Sequence, residues 1–128
     1  YNVGVALKKI GKNKEAAAYF DKAIEGFGTD LRKDPDNIKT IIALGNALAE
    51  KGDFVQATAY FQQAIDKNSY DVNNRLLLAQ ALMVQGLHEQ AAEKLQQGIR
   101  FMEDNGQKDG AAQLRDFLKS TPWPSPPK

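Results

Sequence analysis

Residues 41–65 read IIALGNALAEKGDFVQATAYFQQAI, and the fold is decided in this stretch. Leu44, Gly45 and Leu48 form a small-and-large apolar set in its first half; Ala57, Phe61 and Ala64 do so in the second. Spacings of four and seven residues put each set on one stripe of a helix. Between the halves stands Lys51-Gly52-Asp53, a glycine helix stop followed by an aspartate expected to cap the next helix. The stretch is therefore a helical hairpin, and it recurs. Gly4, Gly11, Ala16, Phe20 and Ala23 lie 41 residues before Gly45, Gly52, Ala57, Phe61 and Ala64. Ala79, Gly86, Ala91, Leu95 and Gly98 lie 34 residues after the same five. Five positions matching in both directions mark an internal repeat.

The 34-residue period and the LG-x-x-L…A-x-x-x-F-x-x-A skeleton closely resemble the tetratricopeptide repeat family. Leu44-Gly45, Leu48, Ala57, Phe61 and Ala64 occupy its signature positions. The resemblance covers about residues 1–105 in three copies. Ile41 stands where the family usually has tryptophan, Ser69 where it has proline, and Gly98 where it has alanine. The implied fold is all-α, an α-solenoid of antiparallel helix hairpins. Repeats are expected at about 1–37, 38–71 and 72–105, a capping helix at 109–119, and a proline-rich flexible tail at 120–128.

Composition is in keeping with that class. The 128 residues carry 26% charged side chains with net charge +1, so neither a basic excess for nucleic acid nor an acidic tail is present. Cysteine is absent, which removes disulfides and thiolate metal sites. No apolar run approaches the ~18 residues of a membrane helix. The reading is a soluble segment, cytoplasmic by default, with the periplasm left open. Tyr1-Asn2-Val3-Gly4 already lies inside a repeat's first helix, so chain upstream of Tyr1 is expected, whether further repeats or a targeting segment.

Along the chain, a first helix spans Tyr1 to about Ile10 and a second starts near Lys14. The second carries Ala16, Phe20, Ala23, Ile24, Phe27 and Leu31 to about Lys33, where Pro35 forbids continuation. Its seven extra residues are about two turns, so the buried stripe stays in phase. Gly26-Phe27-Gly28-Thr29 begins a phosphate-loop pattern, but Leu31 replaces the third glycine and no strand precedes it. It reads as a flexible stretch of helix. Residues from about Val72 to Gln85 are apolar nearly all round, so more than one face wants cover. After a sixth helix from Glu89 to about Asp104, Asp109 is expected to cap a closing helix with Ala111, Leu114, Phe117 and Leu118 on one face. The tail STPWPSPPK favours extended polyproline conformation. Pro124 to Pro127 fits a minimal PxxP motif, and Trp123 is expected to seek an apolar patch.

No catalytic constellation is present. His88 is the single histidine, expected solvated in a turn, and without a second histidine or a cysteine no metal site or nucleophile–base dyad assembles. Asp34 with Asp36, and Glu103 with Asp104, sit where capping explains them. Asp34-x-Asp36 lacks the glycine and glutamate of a calcium loop. The reading is a chain that is not an enzyme and holds no cofactor or metal.

The resemblance also implies a binding face. In the family, the first helix of each hairpin lines a concave groove, with contacts made at three outward positions. Carried over, these are Tyr1, Val5 and Lys8; Ile42, Asn46 and Ala49; and Leu76, Gln80 and Met83, with Lys39 and Asn73 at the edge. One subgroup clamps a terminal carboxylate with lysine, arginine and two asparagines. Only Asn46 matches that set, while Val5, Leu76 and Gln80 stand at its other positions. The implied ligand is an extended peptide or amphipathic helix of another protein, with homo-oligomerisation through the groove or capping helix as the alternative. Leu76 and Met83 are expected to be solvated in the free protein.

Overall fold

The computed structural model describes residues 13–121. Among them there are six helices and no strand: α1 (Asn13–Lys33), α2 (Ile38–Lys51), α3 (Phe54–Lys67), α4 (Val72–Val84), α5 (His88–Asp104) and α6 (Lys108–Ser120). The expected first helix and the proline-rich tail with Trp123 lie outside the described residues. Each helix packs on the next, and α4 also touches α6, as an antiparallel helical repeat requires.

Two kinds of connection alternate in cause. At Gly52, Gly86 and Gly106 the backbone enters the left-handed region, with φ of 101°, 81° and 74°. The amide of the following residue then reaches back to a carbonyl of the preceding helix: Asp53 to Leu48 (2.8 Å), Leu87 to Leu82 (2.9 Å) and Gln107 to Met102 (2.7 Å). Each glycine amide donates as well, to Ala49, Met83 and Glu103. These are three Schellman closures, which satisfy the last carbonyls of α2, α4 and α5.

The other connections, α1 to α2 and α3 to α4, use side-chain caps. Asn37 and Asp71 sit in extended backbone and accept the amides of Thr40 (3.2 Å) and Asn74 (3.3 Å).

This division corrects two expectations. Asp53 occupies the N-cap position of α3 but makes no side-chain cap bond. Its φ and ψ of −85° and 65° are set by the Schellman closure, and Leu87 and Gln107 share that geometry. Asp109 does not cap α6 either; Gln107 holds that place, and Asp109 lies in the first turn, where its charge favours the helix N-terminus. His88 begins α5, half-buried, rather than standing solvated in a turn. Ser120, expected in the tail, ends α6.

The apolar core runs unbroken through the stack. Leu44, Leu48, Ala57, Phe61 and Ile65 meet Leu78, Ala79 and Leu82, which meet Leu95, Ile99 and Met102, and Ala111 and Leu114 of α6 close the end. Ile24, Phe27 and Leu31 of α1 pack against it, so the two-turn extension keeps its stripe inward. The helix continues through Gly26 and Gly28. Gly45 permits the closest approach, since a Cβ there would lie 2.7 Å from Phe61 Cε1. At the hairpin edge, the Gln85 amide nitrogen donates to the Ala81 carbonyl (2.9 Å), Thr58 Oγ1 (3.0 Å) and the Phe54 carbonyl (3.4 Å), pinning the end of α4 to the start of α3.

Candidate functional site

The side chains singled out from the sequence fall on two helices that share α3 as a neighbour. On α2 the fully buried stripe is Ile41, Leu44, Gly45, Ala47 and Leu48. Lys39, Ile42, Asn46 and Ala49 lie off it, Lys39 exposed and the others half-buried. On α4 the buried set is Asn74, Leu78, Ala79, Ala81 and Leu82. Asn73 and Gln80 are exposed beside it, and Leu76 and Met83 are half-buried. Tyr1, Val5 and Lys8 lie outside the described residues.

The burial differs from expectation at two of these positions. Leu76 and Met83 rest against the core, as Ala49 does, so they are not freely solvated. The reason is the composition of α4: apolar side chains around most of its circumference let α3, α5 and α6 each claim a side. Ile42 is the half-buried apolar candidate that lies outside this core cluster of the described residues. The large apolar side chains left most open lie elsewhere. Val55 (75% exposed) in the first turn of α3, Val84 (62%) at the end of α4 and Leu87 after Gly86 lie at hairpin turns, while Tyr70 lies in the connection before α4 and Tyr19 within α1.

Arg75 was missed by the sequence reading, although it is the only charged residue in VNNRLLLAQALMV. Its Nε and Nη2 donate to the Ser69 carbonyl at 3.1 and 3.0 Å, and its guanidinium lies 5.1 Å from the centre of the Phe101 ring. Burial pulls its pKa below the ordinary guanidinium value. Tyr70 packs on the same ring, centroids 5.4 Å apart.

Surface charge pairs join α2 to α1 (Lys51 with Asp21, 2.7 Å), the end of α3 to the α1–α2 turn (Lys67 with Asp36, 2.5 Å) and α6 to α5 (Arg115 with Glu103). Lys67 donates a hydrogen bond to Asp36 and holds that carboxyl below its usual value, and Asp21 raises the Lys51 ammonium in the same way. Among the described residues no three His, Cys, Asp or Glu side chains are grouped to hold a metal ion. Nor is any helix there long and apolar enough to cross a membrane.

Comparison with known families agrees with this architecture. Residues 48–114 match the model of the tetratricopeptide repeat, and residues 1–25 match a second model of the same description. No curated protein matches the chain. Tetratricopeptide repeats generally mediate protein–protein interaction and are typically non-catalytic. With more than half of the chain matched, over helices whose glycine turns recur at Gly52 and Gly86, this chain belongs to the tetratricopeptide repeat family.

Proposed function

We propose that the face carrying Ile42, Asn46 and Ala49 on α2 and Leu76, Gln80 and Met83 on α4 binds an extended peptide or amphipathic helix from another protein. The observation that carries this reading is the character of these six side chains, all of which lie outside the buried stripes. With Lys39 and Asn73 included, they are four apolar groups, three amides and one cation, and no carboxylate is among them. Amides both donate and accept, so they suit the N–H and C=O groups of a peptide backbone. The apolar groups supply burial at intervals. Arginine is missing from the face and lysine stands only at its edge, which disfavours a clamp for a terminal carboxylate. Stacked helices fixed by a common core present the face already ordered, leaving the ordering cost mainly to the ligand.

The test is selection of a displayed random-peptide library on the immobilised chain, followed by affinity measurement on the parent and on Ile42→Glu. Ile42 is half-buried and lies outside the core cluster of the described residues, so the substitution is expected to cost less than one within that cluster, and melting is measured beside affinity. In the complex the carboxylate would be buried unpaired, enough to remove micromolar binding. Selected peptides that bind Ile42→Glu as well as the parent contradict the proposal. Light scattering separates the self-association reading, for which mass would rise with concentration in the parent and not in the variant.

A further inference from the structure

We infer that the small pocket between α3, α4 and α5 is a binding site for a phosphate-sized oxoanion, held by Arg75 and Lys94. The pocket has a volume of about 40 Å³ and is lined by Gln62 and Ile65 of α3, Arg75 and Leu78 of α4, and Lys94 and Gln97 of α5. Two cation-bearing and two amide-bearing side chains from three helices thus line it, together with Ile65 and Leu78. No carboxylate lines the pocket.

The arginine is held ready. Its Nε and Nη2 are fixed on the Ser69 carbonyl and its face rests over Phe101, so the guanidinium cannot swing out without losing both contacts. Nη1 keeps both of its N–H donors and Nη2 keeps one, and Nη1 lies beside α5, 3.3 Å from where a Cβ on Gly98 would stand. Arg75 and Lys94 make no ion pair among the described residues, where the ion pairs join other side chains. Burial lowers the Arg75 pKa, and among the described residues no carboxylate forms an ion pair with it. A half-buried cation without a counter-charge is costly, and an anion entering the pocket would remove that cost.

The neighbouring acids are engaged with the amides. Gln62 donates to Asp66 Oδ1 at 3.0 Å and Gln97 to Glu93 Oε1 at 3.4 Å. Each amide keeps a second N–H for a ligand oxygen. The volume is a few times the ~10–15 Å³ that one water needs, which suits a single oxoanion and excludes a nucleotide. Arg75 and Lys94 favour a dianion over a monoanion, a preference that the Asp66 and Glu93 carboxylates beside the lining amides reduce.

The test is a titration of backbone amide spectra with inorganic phosphate at constant ionic strength, with acetate and chloride as parallel arms. Saturable shifts are expected at Lys94, Gln97 and Gly98, with acetate binding more weakly than phosphate. Lys94→Gln, on an exposed position, should keep its melting temperature and lose about tenfold in phosphate affinity, the value of one charge-assisted partner. Arg75→Gln should abolish saturation. Shifts that are linear, or matched by chloride, would overturn the site, as would unchanged affinity in Lys94→Gln. Equal affinity for acetate would overturn the assignment to a dianion.

Discussion

A Cβ added to Gly98 would lie 2.9 Å from Arg75 Cδ, so α5 closes on α4 only because residue 98 has no side chain. Arg75 cannot step aside cheaply, because its guanidinium is anchored on the Ser69 carbonyl and over Phe101. Leu114 Cδ1 stands 3.1 Å from the same point, so α6 crowds it from another side. The departure from the family's usual alanine at residue 98 thereby has a physical partner within the chain.

Gly98→Ala should destabilise by about 1–3 kcal/mol through overpacking. In an Arg75→Ala background the added cost of Gly98→Ala should shrink, giving a coupling of roughly 1 kcal/mol. Denaturant melts of the four proteins measure it. Additive effects would show that Arg75 does not dictate the glycine.

The hairpin seam makes a matching prediction. Ala57 has no exposed surface, and the space between Gly45 and Phe61 does not admit even a Cβ. Ala57→Leu should cost about 1–3 kcal/mol, because added methylenes in a filled core force strain. An unchanged melting temperature would remove Ala57 from the seam.

Removing residues 110–119 should uncover Leu95, Ile99 and Met102, which are buried with α6 in place. The shortened chain is expected to bind a hydrophobic dye or aggregate, as an open repeat stack does. A monomer of native helicity without dye binding would show that α6 is dispensable.

Asp36 gives a pH-dependent expectation. Its carboxyl is held down chiefly by the hydrogen bond from Lys67 and then by the lysine charge. A depressed native pKa means that the contribution is complete above the unfolded value of ~4 and is lost as pH falls through the native value. Carbon-detected titration should show the Asp36 midpoint rising in Lys67→Met. An identical midpoint in both proteins would contradict the pairing. The pair is exposed, so the effect on overall stability is small.

The hairpins were legible because their signals are local and redundant: Gly52, Gly86 and a 34-residue recurrence of small residues at close approaches. Cap chemistry was not. Asp53 and Asp109 are residues that often cap, but whether a side chain can cap depends on φ and ψ at its position, and the Schellman closure had already set those for Asp53. The environment of Leu76 was hidden for another reason. Periodicity tells which residues seek burial, and in a helix apolar nearly all round it does not tell which neighbour covers which side. Arg75 carried a visible signal, a lone charge in an apolar helix, whose meaning depends on Ser69, Phe101 and Gly98 meeting it in space.

The central claim is that the outward side chains of α2 and α4 form the ligand face. Its most direct test is backbone amide mapping of the protein with a peptide selected on it. Perturbations are expected to concentrate at Ile42, Asn46, Ala49, Leu76, Gln80 and Met83, and to vanish in Ile42→Glu. Perturbations confined to the outer surfaces of α3 and α5, with α2 and α4 silent, would contradict it.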